Sequence, residues 1–289
     1  MKKYELTSET KVINGVKLHR IKALKSFGNI KEGEFGGWIE SEKNLSQRGN
    51  AWIEGNAIVR GNAIVSEKAI VSENATVRGN AEVSGNAKVC ENATVCDNAV
   101  VGGHATVYEN ATVYENATVY DNAVVRENAW VGGHATVYGN AVVGGHATVN
   151  DNSMFYGNTT VYGNATVYGN AVVSGNATVG GHAMVRGDAS VEENATVEGN
   201  ACVYGNARVG GDATVRGIED FIVFKNCWSS GRYFTWTRSN NKWKVGCFYG
   251  SGEELIAKAY KDSEKSGREY ERVVKYVESI LKEEKENKQ

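Results

Sequence analysis

Between Asn50 and Gly217 the apolar residues recur in a strict six-residue pattern. The chain there consists of 28 consecutive units of the form N-A-x-V-x-G, without insertion or deletion. In an extended chain, residues two apart lie on the same side, so the alanine and valine of a unit share one side. The third and fifth places face the other way. The pattern therefore predicts one short strand per unit, with alanine and valine inward and the variable residues in solvent.

The boundaries between units predict the corners. Glycine and asparagine tolerate left-handed backbone geometry better than other residues, and the chain has 34 glycines but no proline. We therefore expect each Gly-Asn pair to form a bend. Four histidines replace the asparagine, and because histidine is also enriched at positive φ, we interpret them as corner substitutes. They are His104, His134, His146 and His182.

The repeat resembles the hexapeptide repeat of left-handed β-helices, in which three units form one triangular coil. The resemblance covers residues 50–217. It implies an all-β solenoid, a left-handed parallel β-helix of about nine 18-residue coils. At roughly 4.8 Å per coil the rod would be about 45 Å long. The chain is also similar to uncharacterised bacterial and phage proteins that are labelled as transferases on fold alone.

Different patterns flank the repeat. In residues 1–49, the segment LTSETKVINGVKLHRI predicts a hairpin with Asn14-Gly15 as its turn, and we interpret this region as an N-terminal β cap. In residues 218–289, DFIVFKN, GRYFTWTR and KWKVGCF predict three strands. A helix is expected to open at Ser251, and a second to run from about Gly267 to Lys285. These elements predict a small α+β domain.

Catalysis has little support in the sequence. The resemblance implies acyltransferases that use acyl-CoA and a catalytic histidine, in coils interrupted by a loop near the active site. Here the coils are uninterrupted, and assigning units to three faces in turn places no two histidines in successive coils of one face. Neither a Ser-His-Asp spacing, a phosphate loop nor a zinc pattern occurs. We predict no catalytic residue, cofactor or metal; an acyltransferase with His134 or His146 as base is the alternative.

Charge and cysteine content bear on partners and location. Residues 50–217 carry 8 Lys+Arg against 16 Asp+Glu, a net of −8, so nucleic acid is not expected to bind along the rod. Residues 1–49 carry 10 Lys+Arg against 6 Asp+Glu. The sequence lacks an apolar run long enough to span a membrane and a secretory h-region, and the five cysteines form no disulfide pattern. We expect a cytoplasmic protein without membrane contact.

One face of the predicted rod carries an aromatic column. Tyr120, Tyr138 and Tyr156 recur at 18-residue intervals, with Met154 beside them. The outward places of five successive coils on this face, from residue 100 to residue 174, include no charged residue. The column is either an ordinary cross-strand ladder or a contact surface. Because rods of the resembled family pack as trimers, we expect a homotrimer through this face first and a foreign protein partner second.

A second candidate surface lies within residues 218–289, where aromatic and basic residues alternate on short strands. Arg232, Trp236, Arg238 and Trp243 are predicted to form a small binding face for an anion or a peptide. Together, these patterns favour a non-enzymatic β-helical scaffold that presents a rigid surface to itself or to a partner. A phage-borne binder or inhibitor of a host factor is a further alternative.

Overall fold

A computed structural model describes residues 2–287 and confirms the β-solenoid. Each six-residue unit forms one strand, β4 to β31 in chain order, and successive strands pass to the next of three faces. Each strand pairs in parallel with strands one coil before and one coil after it, so Thr118 is opposite both Val100 and Thr136. Along each face the same place of the repeat is thus stacked on itself.

The first face has ten strands and the second has nine solenoid strands. The first-face strands are Trp52–Ile53, Ile70–Val71, Lys88–Val89, Thr106–Val107, Val124–Val125, Val142–Val143, Thr160–Val161, Thr178–Val179, Thr196–Val197 and Thr214–Val215. The second-face strands are Ile58–Val59, Thr76–Val77, Thr94–Val95, Thr112–Val113, Trp130–Val131, Thr148–Val149, Thr166–Val167, Met184–Val185 and Cys202–Val203.

The third face has nine strands, two of them longer than the rest. They are Ile64–Val65, Glu82–Val83, Val100–Val101, Thr118–Val119, Thr136–Val137, Met154–Gly157 (β21), Val172–Gly175 (β24), Ser190–Val191 and Arg208–Val209. The repeat alanines and valines line the interior of all three faces and are almost completely buried. This is the inward pattern that the period-two spacing predicts.

The interior changes at one coil. Phe155 replaces the valine of its unit and is fully buried, and Ser153 and Thr159 stand in two alanine places. Here β21 and β24 extend to four residues and pair through Tyr156–Ser174 and Gly157–Gly175. Ser153 Oγ donates to the carbonyl of Asn150 at 2.7 Å. The larger core residue therefore coincides with longer strand pairing on the third face.

The corners differ from the expectation in one respect. The sixth residue of a unit takes the positive φ, and it does so in every unit except the last, which ends at Gly217. Ten of these residues are glutamate or aspartate instead of glycine, for example Glu73 at φ 59°. None of the asparagines or histidines in the first place of a unit has positive φ. The interpretation of the histidines as left-handed corner substitutes is therefore wrong.

The acidic corner residues gain a specific hydrogen bond. In eight of the ten, the carboxylate accepts the backbone N–H of the corner residue one coil further on, as Asp121 does from Gly139 at 3.3 Å and Glu115 from Gly133 at 2.7 Å. A hydrogen bond to a charged acceptor is stronger than one between neutral groups. This bond offsets the strain of positive φ at a residue with a side chain.

Asparagine side chains stack along the three corners. Where one asparagine follows another at a corner, the amide donates an Nδ2 hydrogen to the Oδ1 of the asparagine one coil on, as Asn56 does to Asn74 at 3.3 Å and Asn80 to Asn98 at 2.9 Å. The ladder that begins at Asn122 passes through four further asparagines and reaches Asp212. The asparagine preference at the first place therefore reflects side-chain ladders and not backbone geometry.

The N-terminal residues close one end of the rod. Strands β1 (Tyr4–Ile13) and β2 (Val16–Ala23) form the expected hairpin, and β3 (Phe35–Ile39) pairs antiparallel with β2 and parallel with Ile58–Val59. A 3-10 turn, Glu42–Asn44, follows. Lys3 is buried and its Nζ donates to the carbonyl of Ala51 at 2.8 Å. Burial, with a smaller effect of Lys25, lowers the pKa of Lys3 to about 8.

The C-terminal residues form a four-stranded antiparallel sheet and two helices. The strands are β32 (Phe221–Lys225), β33 (Tyr233–Thr237), β34 (Lys242–Val245) and β35 (Phe248–Gly250), after a 3-10 turn at Ile218–Asp220. Helix α1 spans Gly252–Asp262 and α2 spans Glu264–Glu286. The third predicted strand is in fact two, because Gly246 turns the chain at φ 57°. No helix between residues 2 and 287 is long and apolar enough to cross a membrane.

This sheet packs against the last coil of the rod. Thr235 Oγ1 accepts the N–H of Arg208 at 2.8 Å, and Ser239 Oγ accepts that of Thr214 at 2.7 Å. Lys244 Nζ lies 3.1 Å from the Glu193 carboxylate. Burial alone would raise the pKa of Glu193, but the Lys244 ammonium and the N–H of the next corner residue lower it. Hydroxyl groups and an ion pair thus close this end of the rod in place of another coil.

Candidate functional site

The tyrosine column of the third face is arranged as two parts. The rings of Tyr138 and Tyr156 stack, with centroids 5.6 Å apart and an interplanar angle of 19°. The Tyr138 hydroxyl lies 3.9 Å from Met154 Sδ. Tyr120 lies instead over Gly102, where an added Cβ would clash with its ring. The structure therefore brings Tyr138, Met154 and Tyr156 into one cluster and places Tyr120 one coil away, directed toward Gly102.

These side chains remain accessible although they contact one another. Tyr120 is 47% exposed, Met154 40% and Tyr156 36%. Phe155, in the core beneath them, lies in the same extended strand as Met154 and Tyr156. The longer strand fixes the backbone position of the cluster, because Tyr156 itself pairs with Ser174 in the strand ladder.

The charge pattern distinguishes the third face from the first. The outward places of the third face carry Glu82 below the column and Glu192 and Arg208 above it, with five uncharged coils between them. The first face has Arg126 at a comparable height, whereas the second face carries an uncharged run of equal length, outward residues 94–168. We name the uncharged region the tyrosine strip, defined by outward residues 100–174 of the third face.

A second aromatic group lies on the second face and escapes a search at 18-residue spacing. Tyr114 meets Trp130 edge-on at 6.0 Å and lies over Gly132. Burial raises the pKa of Tyr114, and nearby acidic groups add to the effect. The pair is diagonal, because the fifth place of one coil lies beside the third place of the next. Tyr168 and Met184 form the same diagonal pair, with the Tyr168 hydroxyl 3.5 Å from Met184 Sδ.

The four rod histidines are dispersed and exposed. Each continues a corner column of asparagines, and the Asn86 amide and His104 Nε2 lie 3.3 Å apart. The units of His146 and His182 supply strands of the second face two coils apart, while His104 and His134 belong to the other faces. Their placement brings no two of them together.

Changing all four histidines to asparagine should leave the fold intact. Asparagine is the usual occupant of these places, so the variant extends the amide ladders, and we expect a thermal midpoint no lower than that of the natural chain. Circular dichroism would measure it, and release of free CoA from acetyl-CoA would be followed for both proteins. An acyl-CoA activity present in the natural chain and absent from the folded variant would contradict the non-enzymatic interpretation.

Two of the four residues of the predicted C-terminal binding face lie in the core of the C-terminal sheet and helices. Trp236 and Trp243 are opposite each other on β33 and β34 and are only 1% and 2% exposed, because their sides of these strands face α1 and α2. Arg238 pairs with Glu284 of α2 at 2.6 Å. Arg232 is exposed. The prediction is therefore wrong for Trp236 and Trp243; the exposed tryptophan of this sheet is Trp228, in the β32–β33 loop.

Among residues 2–287, no group of three or more histidine, cysteine, aspartate or glutamate side chains is placed to hold a metal ion. The cysteines in this part of the chain are free thiols: Cys90, Cys96, Cys202, Cys227 and Cys247. Burial raises the pKa of Cys96 to about 11, which keeps that thiol protonated near neutral pH.

Part of the repeat matches a known family model. The model described as YdcK beta solenoid repeat matches residues 129–145 and 160–175, which is a minor part of the chain. Among solved structures, the UDP-N-acetylglucosamine O-acyltransferase (LpxA) of Moraxella catarrhalis RH4 is 15% identical. That match covers 78% of this chain and 91% of the other, with a TM-score of 0.31. No curated protein matches the sequence.

Proposed function

We propose that the protein is a non-enzymatic β-solenoid scaffold that associates through the tyrosine strip, in the first place with copies of itself as a homotrimer. The observation that carries this proposal is the five-coil uncharged strip with exposed Tyr120, Met154 and Tyr156. A contiguous uncharged patch that carries exposed aromatic side chains is typical of an interface. A foreign protein that covers the same strip is the second candidate.

The setting of the strip supports association over a purely structural ladder. A ladder needs only neighbouring side chains of the same sheet, and Tyr138 and Tyr156 already meet that need. Tyr120 and Met154 keep large exposed areas. Burial of such residues against a partner is a main source of binding energy at protein interfaces.

The triple change Tyr120→Glu, Tyr138→Glu, Tyr156→Glu should abolish association without unfolding the rod. The inward residues stay unchanged, whereas three carboxylates would be desolvated in any contact through the strip. Light scattering of the natural chain and the variant measures the outcome: a trimer for the first and a monomer for the second.

The matched control places the same three changes on the other faces, at Tyr108, Tyr162 and Tyr168, and should leave the mass of the assembly unaltered. A natural chain that is monomeric excludes the homotrimer and leaves the foreign partner. An oligomer that persists in the strip variant and dissociates in the control variant places the interface elsewhere.

The compartment and the two alternative functions are judged from the thiols and histidines of the chain. Five free thiols fit a reducing compartment such as the cytoplasm. A phage-borne inhibitor of a host factor would use the same strip against a foreign protein. An acyltransferase would need acyl-CoA at a histidine, and the exposed, separated histidines do not favour it.

A further inference from the structure

Strand β32 is an unpaired edge of the C-terminal sheet. The sheet order is β32-β33-β34-β35, so β32 has a neighbour on one side only. The Asp220 carbonyl accepts the N–H of Arg238, and the N–H of Asn226 donates to the Arg232 carbonyl. Hydrogen-bonded pairs alternate in an antiparallel ladder, so the even residues from 220 to 226 bond to β33. The N–H and C=O groups of the odd residues, Phe221, Val223 and Lys225, therefore point to the open side.

Cavities flank this edge on both faces of the sheet. On the helix side, a cavity of about 580 Å³ is lined by Phe224, Trp228, Glu269, Arg272, Val273 and Tyr276. On the rod side, a cavity of about 390 Å³ is lined by Tyr204, Gly205, Asn206, Ile218, Phe221, Val223 and Tyr233. The helix-side cavity is mostly apolar, and each is large enough for one or more side chains.

Exposed apolar residues concentrate at the same edge. Trp228 is 68% exposed and Ile218 is 73% exposed, and Tyr204 and Tyr276 are exposed beside them. The position of Trp228 is fixed by hydrogen bonds of its turn. The buried Asn226 accepts the N–H groups of Trp228 and Ser229 with its Oδ1 and donates to Ser229 Oγ at 2.8 Å. This turn holds the tryptophan over the helix-side cavity.

The edge strand at the other end of the molecule is protected. Along its length β1 carries Glu5, Glu9 and Lys11, and its pairing with β2 is irregular between Leu6 and Thr10. Charges and irregularities of this kind prevent edge-to-edge pairing. Strand β32 reads Phe-Ile-Val-Phe-Lys, without proline, and pairs with β33 in continuous register. Such an edge is a template for an added strand.

We propose that β32 binds an extended polypeptide segment as a fifth strand of the C-terminal sheet. In strand addition the main-chain hydrogen bonds supply affinity, and pockets for alternate side chains supply specificity. Side chains of an added strand alternate between the two faces, so they reach the helix-side and rod-side cavities in turn. The segment has apolar residues on both sides, the larger ones toward Trp228 and Tyr276.

The direction of the sheet and the charges at the ends of β32 define the segment further. All pairings of this sheet are antiparallel, and an added strand is expected to continue that order. Glu219 precedes β32 and Lys225 ends it. An antiparallel segment begins beside Lys225 and ends beside Glu219, so it is expected to carry an acidic residue first and a basic residue last. This binding surface is separate from the tyrosine strip, and the two proposals can fail independently.

Backbone N-methylation tests the main-chain contacts directly. The probe is an eight-residue acetylated peptide in which leucine or phenylalanine alternates with valine, with glutamate first and lysine last. Two derivatives carry N-methyl groups at the odd or at the even positions. Titration calorimetry with the full chain should show saturable binding of the unmodified peptide and of one derivative, and loss of binding for the other. Equal binding of both derivatives, or no saturable binding of the unmodified peptide, overturns the proposal.

A protein variant provides the complementary test. Lys225→Pro removes an N–H that points to the open side and leaves the β33 ladder intact, since proline is tolerated on edge strands. Lys225→Ala keeps the N–H and is the matched control. Both variants lack the Lys225 charge, so we expect Lys225→Pro to bind the peptide about 10-fold more weakly than Lys225→Ala, the effect of one lost hydrogen bond. Equal affinity of the two variants contradicts main-chain recognition.

The same titration in the Tyr120→Glu, Tyr138→Glu, Tyr156→Glu variant separates this site from the tyrosine strip, and unchanged peptide affinity is the supporting result. Self-association that Lys225→Pro abolishes and the tyrosine changes do not would assign the edge to a second copy of the chain, and would overturn the peptide proposal.

Discussion

Val119→Asp is expected to abolish cooperative unfolding of the solenoid. Val119 is fully buried on the third face and is opposite Val101 and Val137. A carboxylate there has only alanine and valine side chains around it, and burying an unpaired charge costs several kcal/mol. Each coil contacts only its neighbours, so a coil that cannot close separates the rod into two parts. We expect a large fall in the thermal midpoint and a broad transition, measured by circular dichroism.

Thr118→Asp is the matched control, because it adds the same carboxylate to the same strand on the outward side. It should melt close to the natural chain. Low pH should partly rescue Val119→Asp, since the desolvated carboxyl has a raised pKa and becomes neutral. An unchanged midpoint for Val119→Asp would mean that this side chain does not face the interior.

Gly145→Ala should destabilise the rod far more than Gly205→Ala. Both glycines are corner residues with nearly equal φ, 69° and 66°. The strain of positive φ in alanine, roughly 1–2 kcal/mol, is therefore common to both. An added Cβ at Gly145 would lie 2.6 Å from the backbone N and O of Gly163, while at Gly205 it meets nothing within 4 Å. Only the first variant forces two coils apart.

Chemical denaturation measures both variants against the natural chain. The free energy of unfolding of Gly205→Ala should fall by the strain alone, and that of Gly145→Ala by at least twice as much. Equal losses would show that backbone strain, and not the close approach of successive coils, selects glycine at this corner.

The regular part of the fold could be predicted from the sequence because two constraints agree there. The period of two fixes which residues of a unit face inward, and the period of 18 fixes which units stack. The corner assignment failed because glycine and asparagine are adjacent, and propensity alone does not decide which of them takes the positive φ. The replacement of glycine by residues such as Glu73 and Asp121, never by alanine, is the signal that a hydrogen-bonding carboxylate serves this place.

The candidate surfaces also divide into features that follow from the repeat period and features that do not. The tyrosine column follows from the 18-residue period, but the pair Tyr114–Trp130 does not, because it joins different places of the repeat in successive coils. In the C-terminal sheet, strand alternation predicts that half of the aromatic residues are buried. Which half depends on the side that α1 and α2 cover, and no strand pattern encodes that. Alternation therefore does not distinguish the buried Trp236 from the exposed Trp228.

Because the interior is so uniform, most of the repeat does not specify which unit should pair with which while the chain folds. A segment displaced by one unit buries the same alanines and valines and rebuilds the same ladders, so most of the rod does not distinguish a correct start from a shifted one. Phe155 does distinguish them, because it is larger than the valine at this place in the neighbouring coils, so a displaced pairing puts its ring in a different coil. A single phenylalanine thus helps to fix the pairing register of the repeats on either side of it.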